Sequence, residues 1–278
     1  MTMSDYHLRF AGIARLYGVA ALDIFASAHV CVIGIGGVGS WAAEALARSG
    51  IGKITLIDLD DVCISNINRQ LHALTNTIGQ DKVAVMAERI KAINPACIVH
   101  QIDDFISSDN LRQLITPEMD YVVDAIDSIK AKVALLAHCK RNKINVISTG
   151  GAGGQTDPTQ IQIADLTQTI NDPLLAKVRN TLRRDYNYSR NLKRRFGIDC
   201  VFSTEQLVYP QPDGSVCQQK TPQLTADGQS SSMRLDCSGG FGATTVVTAS
   251  FGLAAVARVL QKLAKKANQA SAVNDNTP

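Results

Sequence analysis

A glycine-rich turn supplies the first residues that could bind a ligand. Gly34, Gly36 and Gly39 follow an apolar run at 29–34 and open an alanine-rich segment that is typical of a helix. Glycines in this pattern let the backbone approach a phosphate closely, and the helix N-terminus offers unpaired N–H groups. Asp58 ends the next apolar run, where a carboxylate would accept hydrogen bonds from ribose hydroxyls. The pattern predicts a nucleotide site and, taken alone, favours NAD.

Polar and cationic residues beyond Asp58 change that expectation. Asn66, Arg69 and Gln70 follow it closely, and Lys82 stands at the start of the next predicted helix. Fixed cations stabilise the charge that develops when a phosphoryl group is transferred, and a nicotinamide enzyme has no evident need for them. The spacing of these residues therefore favours ATP. Because lone surface cations are common, an NAD-binding redox protein stays as an alternative.

The elements that must hold these residues alternate along the chain. Apolar runs predict strands at 29–34, 53–58, 98–102, 121–125 and 144–148. Helical patterns are found at 81–92, 109–115 and 129–141. This alternation predicts an α/β fold: a Rossmann-like, doubly wound, mostly parallel sheet that binds ligands at the carboxyl ends of its strands. The alternating run at 161–166 adds an antiparallel strand in a C-terminal extension.

The composition of the sequence changes after Thr149, where a glycine-rich connection begins, and this change suggests how the chain is organised. We expect an ATP-binding half at 1–150, an extension of the same domain at 151–266, and a disordered tail at 267–278. The extension should contain a long loop at 211–236 and a final helix at about 240–266. The stretch 241–260 has a single charge, and its small residues favour a buried core helix with no stable membrane association.

Positive charge is concentrated in one segment of this extension. The whole chain carries a net charge of +3, but residues 177–195 hold eight basic side chains against one acidic one. These bases are Lys177, Arg179, Arg183, Arg184, Arg190, Lys193, Arg194 and Arg195. Such a concentration favours contact with a nucleic acid backbone over an ordinary solvated face.

The cysteines bear on the redox environment. There are seven of them, an odd number, and none forms a C-x-x-C pair. A disulfide framework and a tetrathiolate zinc site are therefore not indicated, and a reducing cytoplasm fits best. Cys237, before a Gly-Gly turn, is a weak catalytic candidate, since a lone cysteine beside glycine is more often buried packing.

Several motifs resemble the superfamily of ubiquitin-activating enzymes and their bacterial relatives that adenylate carboxylates. They are GIGGVGS at 34–40, LIDLDDV at 56–62, SNINRQ at 65–70, Lys82, and DAIDS at 124–128. By this resemblance Gly37 and Asp58 contact ATP, Asn66, Arg69 and Lys82 hold its phosphates, and Asp127 binds Mg²⁺. Ser128 departs from the asparagine that is common in the family. The family also implies a homodimer in which Arg15, or alternatively Arg9, reaches the partner's triphosphate.

Other motifs resemble one branch of this superfamily, the dehydratases that cyclise threonylcarbamoyladenosine in the anticodon loop of tRNA. They are RLYG at 15–18, VFSTEQ at 201–206 and RLDCSGGFGA at 234–243. The resemblance implies tRNA as substrate and gives the basic segment a use. An activating enzyme for a ubiquitin-like sulfur carrier is the alternative, which would make a sulfur-transfer protein the partner. The need for a monovalent cation stays open.

Overall fold

A seven-stranded sheet lies at the centre of the computed structural model, which describes residues 5–219 and 241–274. Its strands are β1 (His29–Ile33), β2 (Lys53–Ile57), β3 (Ile98–Ile102), β4 (Tyr121–Asp124), β5 (Val146–Thr149), β6 (Ile161–Asp165) and β7 (Asp199–Ser203), and a separate hairpin pairs β8 (Tyr209–Pro210) with β9 (Val216–Cys217). The helices are α1 (Asp5–Arg9), α2 (Ala11–Tyr17), α3 (Val19–Ser27), α4 (Gly39–Arg48), α5 (Lys82–Ile93), α6 (Leu111–Leu114), α7 (Ile129–Arg141), α8 (Pro173–Asp185) and α9 (Thr245–Asn274).

The sheet topology confirms the predicted fold class. The strands follow the order β3-β2-β1-β4-β5-β7-β6, and each neighbouring pair is parallel except β6 with β7. The chain leaves β1 toward one edge of the sheet and returns to β4 on its other side. Ligands bind at such a switch point, beyond the carboxyl ends of the strands. The glycine turn after β1 and the DAIDS segment after β4 therefore meet there.

Two apolar layers cover the faces of the sheet. Alternate residues of each strand point to opposite faces, so Val30 and Val32 pack with α3, α4, α5 and α9. Cys31 and Ile33 pack with α6, α7 and α8 on the other face. Residues from both predicted halves enter the same core, because α9 packs against α3 and α4. The C-terminal extension is thus structurally continuous with the nucleotide-binding half.

Helix α9 combines a membrane-like composition with a place in the core. The stretch Thr245–Ala267 is long and apolar enough to cross a membrane by length and composition alone, with a mean hydropathy of 1.4. Its residues Val247, Phe251 and Val259 are fully buried among the helices of the first layer. This packing agrees with the core helix that was expected at 241–260.

The C-terminal part departs from the sequence prediction at two points. Helix α9 continues to Asn274, whereas the sequence predicted its end near Lys266 and disorder from 267. Where the apolar stripe of a helix fades and no glycine or proline follows closely, the sequence does not mark the residue at which the helix ends. The loop expected at 211–236 contains strand β9. Positions 220–236 of the expected loop, the weak candidate Cys237, and positions 275–278 of the expected tail lie outside the described residues.

Candidate nucleotide-binding and adenylation site

An open cavity of about 1750 Å³ lies at the switch point of the sheet. It brings together most of the residues that were expected to form the nucleotide site: Gly34, Gly36, Gly37, Asp58, Asn66, Arg69, Gln70, Lys82, Asp127 and Ser128. Gly39 and Arg15 do not line it in the described chain. These residues come from segments far apart in sequence, so the fold assembles the cluster.

The glycine turn shows why side chains are absent from it. Gly34 has φ of +83°, and a Cβ there would lie 2.8 Å from the carbonyl oxygen of Ala125. Gly39 packs so closely under Gly34 that a Cβ would overlap the Gly34 carbonyl oxygen. Gly39 therefore shapes the turn from below, while Gly36 and Gly37 form the cavity wall before α4. This arrangement leaves a helix N-terminus and close backbone facing the cavity, as a phosphate requires.

A carboxylate pair and one lysine lie beside the turn. Asp58 accepts hydrogen bonds from the backbone N–H groups of Ile35 and Asp60. Lys82 is buried, with its Nζ 2.7 Å from Asp60 Oδ2 and 3.8 Å from Asp58 Oδ1. Burial raises the pKa of Asp58, and the nearby Lys82 charge opposes that rise. The Lys82 side chain is 6% exposed and that of Asp60 is 75% exposed, so the buried ammonium group is held by a carboxylate that lies largely in solvent.

The segment 65–70 is held in place by contacts from distant elements. Asn66 caps its own turn by accepting a hydrogen bond from the Cys63 N–H. The Arg69 guanidinium donates to the Ser65 carbonyl oxygen at 2.8 Å. The Arg69 carbonyl oxygen accepts from the indole of Trp41 at 3.1 Å and from Thr248 Oγ1 at 3.4 Å. The arginine backbone is thus fixed from two sides, and Arg69 keeps further N–H groups for a ligand.

Asp127 is an exposed carboxylate that also lines the cavity. It follows β4 and precedes α7, and its side chain makes no hydrogen bond or ion pair within the described part of the chain. Ser128 occupies the N-cap position of α7 without a side-chain capping bond. Mg²⁺ is commonly held by one or two carboxylates together with substrate phosphates. A single free carboxylate facing a phosphate cradle fits that pattern.

A buried ion pair supports the Asp127 loop from below. Lys132 Nζ lies 2.8 Å from Asp124 Oδ2, and both side chains are fully buried. Ser148 Oγ donates to the same carboxylate oxygen at 2.6 Å, while the Ile126 N–H donates to Asp124 Oδ1. Asp124 is the last residue of β4. The structure adds a lysine partner that the sequence gave no reason to select.

Several cavity residues escaped sequence reasoning. Leu174 and Thr248 come from helices far along the chain, and Phe105 follows β3. The position of Phe105 beyond the carboxyl end of a strand was a usable signal, but the other two positions depend on tertiary packing. Gly151 and Gly153, in the glycine-rich segment after β5, also line the cavity. Phe241 closes the wall beside them.

The basic segment divides into two groups in the structure. Arg179 is half-buried and donates from Nη1 to the carbonyl oxygens of Leu166 and Thr169, and Arg183 lies over the Phe196 ring at 5.4 Å. The other six bases are exposed: Lys177, Arg184, Arg190, Lys193, Arg194 and Arg195. We call these six the basic surface. Arg184 is paired with Asp185, but the pair is largely solvated.

The N-terminal helices carry exposed apolar side chains. Leu8, Leu16 and Val19 are 62%, 74% and 62% exposed. Arg15 lies among them on α2 and is exposed to solvent, away from the cavity of its own chain. Arg9, the runner-up, is engaged by Asp5 at 2.6 Å.

Comparison with known proteins adds specific relatives to this geometry. The ThiF family model matches residues 9–277. The tRNA threonylcarbamoyladenosine dehydratase of Escherichia coli is 59% identical over 268 residues, which cover 96% of this chain and 98% of that protein. The crystal structure of the E. coli enzyme in complex with ATP has a TM-score of 0.83 at 52% identity, and the complex with AMP has 0.83 at 53%. Each comparison covers 97% of this chain and 99% of the other.

Proposed function

The chain belongs to the ThiF family, and on that premise we propose that it is an ATP-dependent, adenylate-forming enzyme that dehydrates threonylcarbamoyladenosine in the anticodon loop of tRNA. The observation that carries the proposal is the cavity, which combines a phosphate cradle and a free carboxylate with a wall that leads to the basic α8. The relatives that share almost the whole chain have this name, and one is known with ATP and with AMP.

The reaction requires only that the cavity hold ATP and the threonylcarbamoyl group side by side. A carboxylate oxygen of the threonyl group attacks the α-phosphorus of ATP, and pyrophosphate leaves. The neighbouring carbamoyl group then attacks the activated carbonyl carbon, AMP departs with the former carboxylate oxygen, and a proton is released. Both reacting groups belong to one molecule, so the effective concentration is high and no protein nucleophile is needed. In the net reaction, the modified adenosine loses one water, and ATP is converted to AMP and pyrophosphate.

Different cavity residues contact different parts of the nucleotide. Asp58 binds the ribose, Gly36 and Gly37 face the phosphates, and Arg69 and Lys82 neutralise their charge. Asn66 and Gln70 complete the wall beside Arg69. Mg²⁺, when bound by Asp127 and the phosphates, supplies the charge stabilisation that nucleotidyl transfer requires. The role of Lys82 includes a switch of partner, from Asp60 to the phosphates.

A homodimer completes this assignment. Arg15 from one protomer reaches the triphosphate of the other, since its exposed position leaves it outside its own cavity. The exposed Leu8, Leu16 and Val19 supply apolar area for such an interface. A cytoplasmic location fits the substrate, and it fits the six cysteines of the described residues, all of which are free thiols.

The direct test follows the fate of the carboxylate. Threonylcarbamoylated tRNA is incubated with enzyme and ATP, and its nucleosides are analysed by mass spectrometry. We expect the modified adenosine to lose the mass of one water, and ¹⁸O placed in its carboxylate to appear in AMP. A carrier-activating enzyme would instead release pyrophosphate only with a protein that ends in Gly-Gly. A redox protein would be stabilised against heat by NAD and not by ATP. Either result would refute the proposal.

Charge reversal tests the basic surface as the tRNA contact. We expect glutamate at Arg184, Arg190, Arg194 and Arg195 to weaken tRNA binding and to flatten its salt dependence. If each arginine neutralises one phosphate, the slope of log K against log salt falls by about 3. Binding is measured by filter retention at several salt concentrations. The matched control reverses four exposed bases on other elements, Lys91, Arg112, Lys262 and Lys265. Equal effects of the two sets would make the basic surface an ordinary solvated face.

A further inference from the structure

A second, smaller groove lies next to the nucleotide cavity. It encloses about 350 Å³, a size within the range of small-ligand sites. The N-terminal end of α8 separates the two, because Leu174 lines the first cavity while Pro173 lines the groove. Asp172 is part of the same partition: it lines the groove, and its Oδ2 accepts a hydrogen bond from the Gly151 N–H in the cavity wall.

A pair of aromatic rings forms the other part of the partition. Tyr209 lines the groove and Phe241 lines the cavity, with ring centroids 5.2 Å apart. Phe241 is seated against Gly154, where a Cβ would lie 2.8 Å from the ring. One ring thus faces the cavity, and the neighbouring ring faces the groove. A ligand that spans both rings would occupy two adjacent positions.

The lining of the groove has the chemistry that recognises a nucleobase. Tyr209 offers an aromatic surface on which a base can stack. Gln206 and Gln218 bring carboxamides, each with a donor and an acceptor side by side, as the edges of bases require. Asn171 lines the groove with them, and its Nδ2 donates to the Thr204 carbonyl oxygen at 2.8 Å. Gln206 is exposed and its side chain makes no hydrogen bond within the described ranges. Arg179, fixed by its bonds to Leu166 and Thr169, adds positive charge at the groove.

The groove shares helix α8 with part of the basic surface. Arg179 and Lys177 lie on α8, and Arg184 follows on the same helix. An RNA that contacts the exposed bases of this helix is thereby brought to the helix whose N-terminal half lines the groove. Recognition of RNA by proteins commonly uses unpaired loop bases that are splayed out and stacked on aromatic side chains.

From these contacts we propose that the groove binds the base of a nucleotide adjacent to the modified adenosine, splayed out of the anticodon loop and stacked on Tyr209. This inference rests on the proposed function and adds a second point of RNA recognition. The cavity takes the modified nucleoside, and the groove sets its register by holding its neighbour. Specificity for a loop over a paired helix follows, because a paired base cannot enter the groove.

The test couples changes in the protein to changes in the RNA. The substrates are anticodon stem-loops that carry threonylcarbamoyladenosine, with an intact neighbour or with an abasic nucleotide on its 5′ or its 3′ side. The enzymes are the wild type, Tyr209→Leu, Tyr209→Phe and Gln206→Ala, and KM for RNA, kcat and KM for ATP are measured. With the wild type, one of the two abasic positions should raise KM for RNA by about 10-fold, the effect of losing one stacked base.

The proposal predicts that protein and RNA changes are not additive. Tyr209→Leu should raise KM for the intact stem-loop by about 10-fold, with kcat and KM for ATP retained, and the abasic position should add little more. Tyr209→Phe, which keeps an aromatic ring, should have the wild-type KM for RNA. Gln206→Ala, which leaves the ring pair intact, should raise KM and show the same loss of additivity.

Two results would overturn the inference while leaving the proposed function intact. The first is additive effects of Tyr209→Leu and Gln206→Ala with both abasic positions. The second is an unchanged KM for RNA in both variants. Failure of the wild type to cyclise the intact stem-loop, and the full tRNA, would instead refute the proposed function itself.

Discussion

Asp127→Ala is expected to reduce turnover by about 10³-fold or more while ATP binding changes little. The Asp127 carboxylate is exposed in the cavity and makes no bond to the described protein, so its removal should not disturb the adenine or ribose contacts. It removes the group proposed to hold Mg²⁺ against the phosphates, where charge develops in the transition state. Turnover is measured as AMP formed with modified tRNA, and binding as the rise in Tm with ATP.

Asp61→Ala is the matched control for this variant. Asp61 is also an exposed carboxylate that lines the cavity, but no role is assigned to it. It should keep nearly full activity, and near wild-type activity of Asp127→Ala would remove Asp127 from the mechanism. Equal losses in the two variants would show a general effect of cavity charge.

The same variant tests whether two protomers share a site. Asp127→Ala and Arg15→Ala are each expected to be inactive, and co-expression of the two should restore about a quarter of wild-type activity. In the mixed dimer one site loses both residues and the other keeps both, and random pairing makes half of the dimers mixed. No recovery would place Arg15 outside the partner's site.

Lys132→Met is expected to lower the free energy of unfolding by about 3–5 kcal/mol, the cost of leaving a buried charge without its partner. The Lys132 ammonium and the Asp124 carboxylate are fully buried at 2.8 Å, and methionine fills a similar volume without charge. For a chain of this size the loss corresponds to a fall in Tm on the order of 10 °C. Chemical denaturation and calorimetry check both quantities.

Two further variants separate charge from packing. Lys130→Met changes an exposed lysine on the same helix and should leave stability almost unchanged. Asp124→Asn combined with Lys132→Met removes both charges while an amide remains to accept from Ile126, so it should recover more than half of the loss. A single variant as stable as the wild type would mean that the pair contributes nothing net.

The parts of the molecule that local chemistry dictates were predictable. Helix α7 spans Ile129–Arg141, the bounds that its apolar periodicity indicated, because the pattern begins after a polar N-cap and ends in basic residues. The strand, glycine turn and helix around Gly34 could be recognised for the same reason: one short segment contains every residue that the geometry needs. The parallel sheet then followed from the alternation of such units.

What escaped prediction depends on contacts between distant segments. Thr248 and Phe241 reach the cavity only because α9 packs against α4 and the glycine-rich wall, and no local pattern encodes that approach. Lys132 has the sequence signature of a surface lysine on an amphipathic helix, and its burial against Asp124 depends on the neighbouring strand β5. Arg179 likewise belongs by composition to a uniform basic segment, yet its backbone hydrogen bonds separate it from the basic surface.

The contacts between the start of α9 and the segment 65–70 also determine when that segment is fully held during protein synthesis. Asn68 Nδ2 donates to the carbonyl oxygen of Ala243, 175 residues later, and Thr245 Oγ1 donates to that of Asn68 across 177 residues. A nascent chain that has completed the glycine turn, Asp58 and Asp127 therefore contains the predicted nucleotide fingerprint but lacks the contacts that hold the segment 65–70 from its C-terminal side. Closing so long a loop is entropically costly and late. We therefore expect the segment 65–70 to gain its full set of contacts only after α9 has docked.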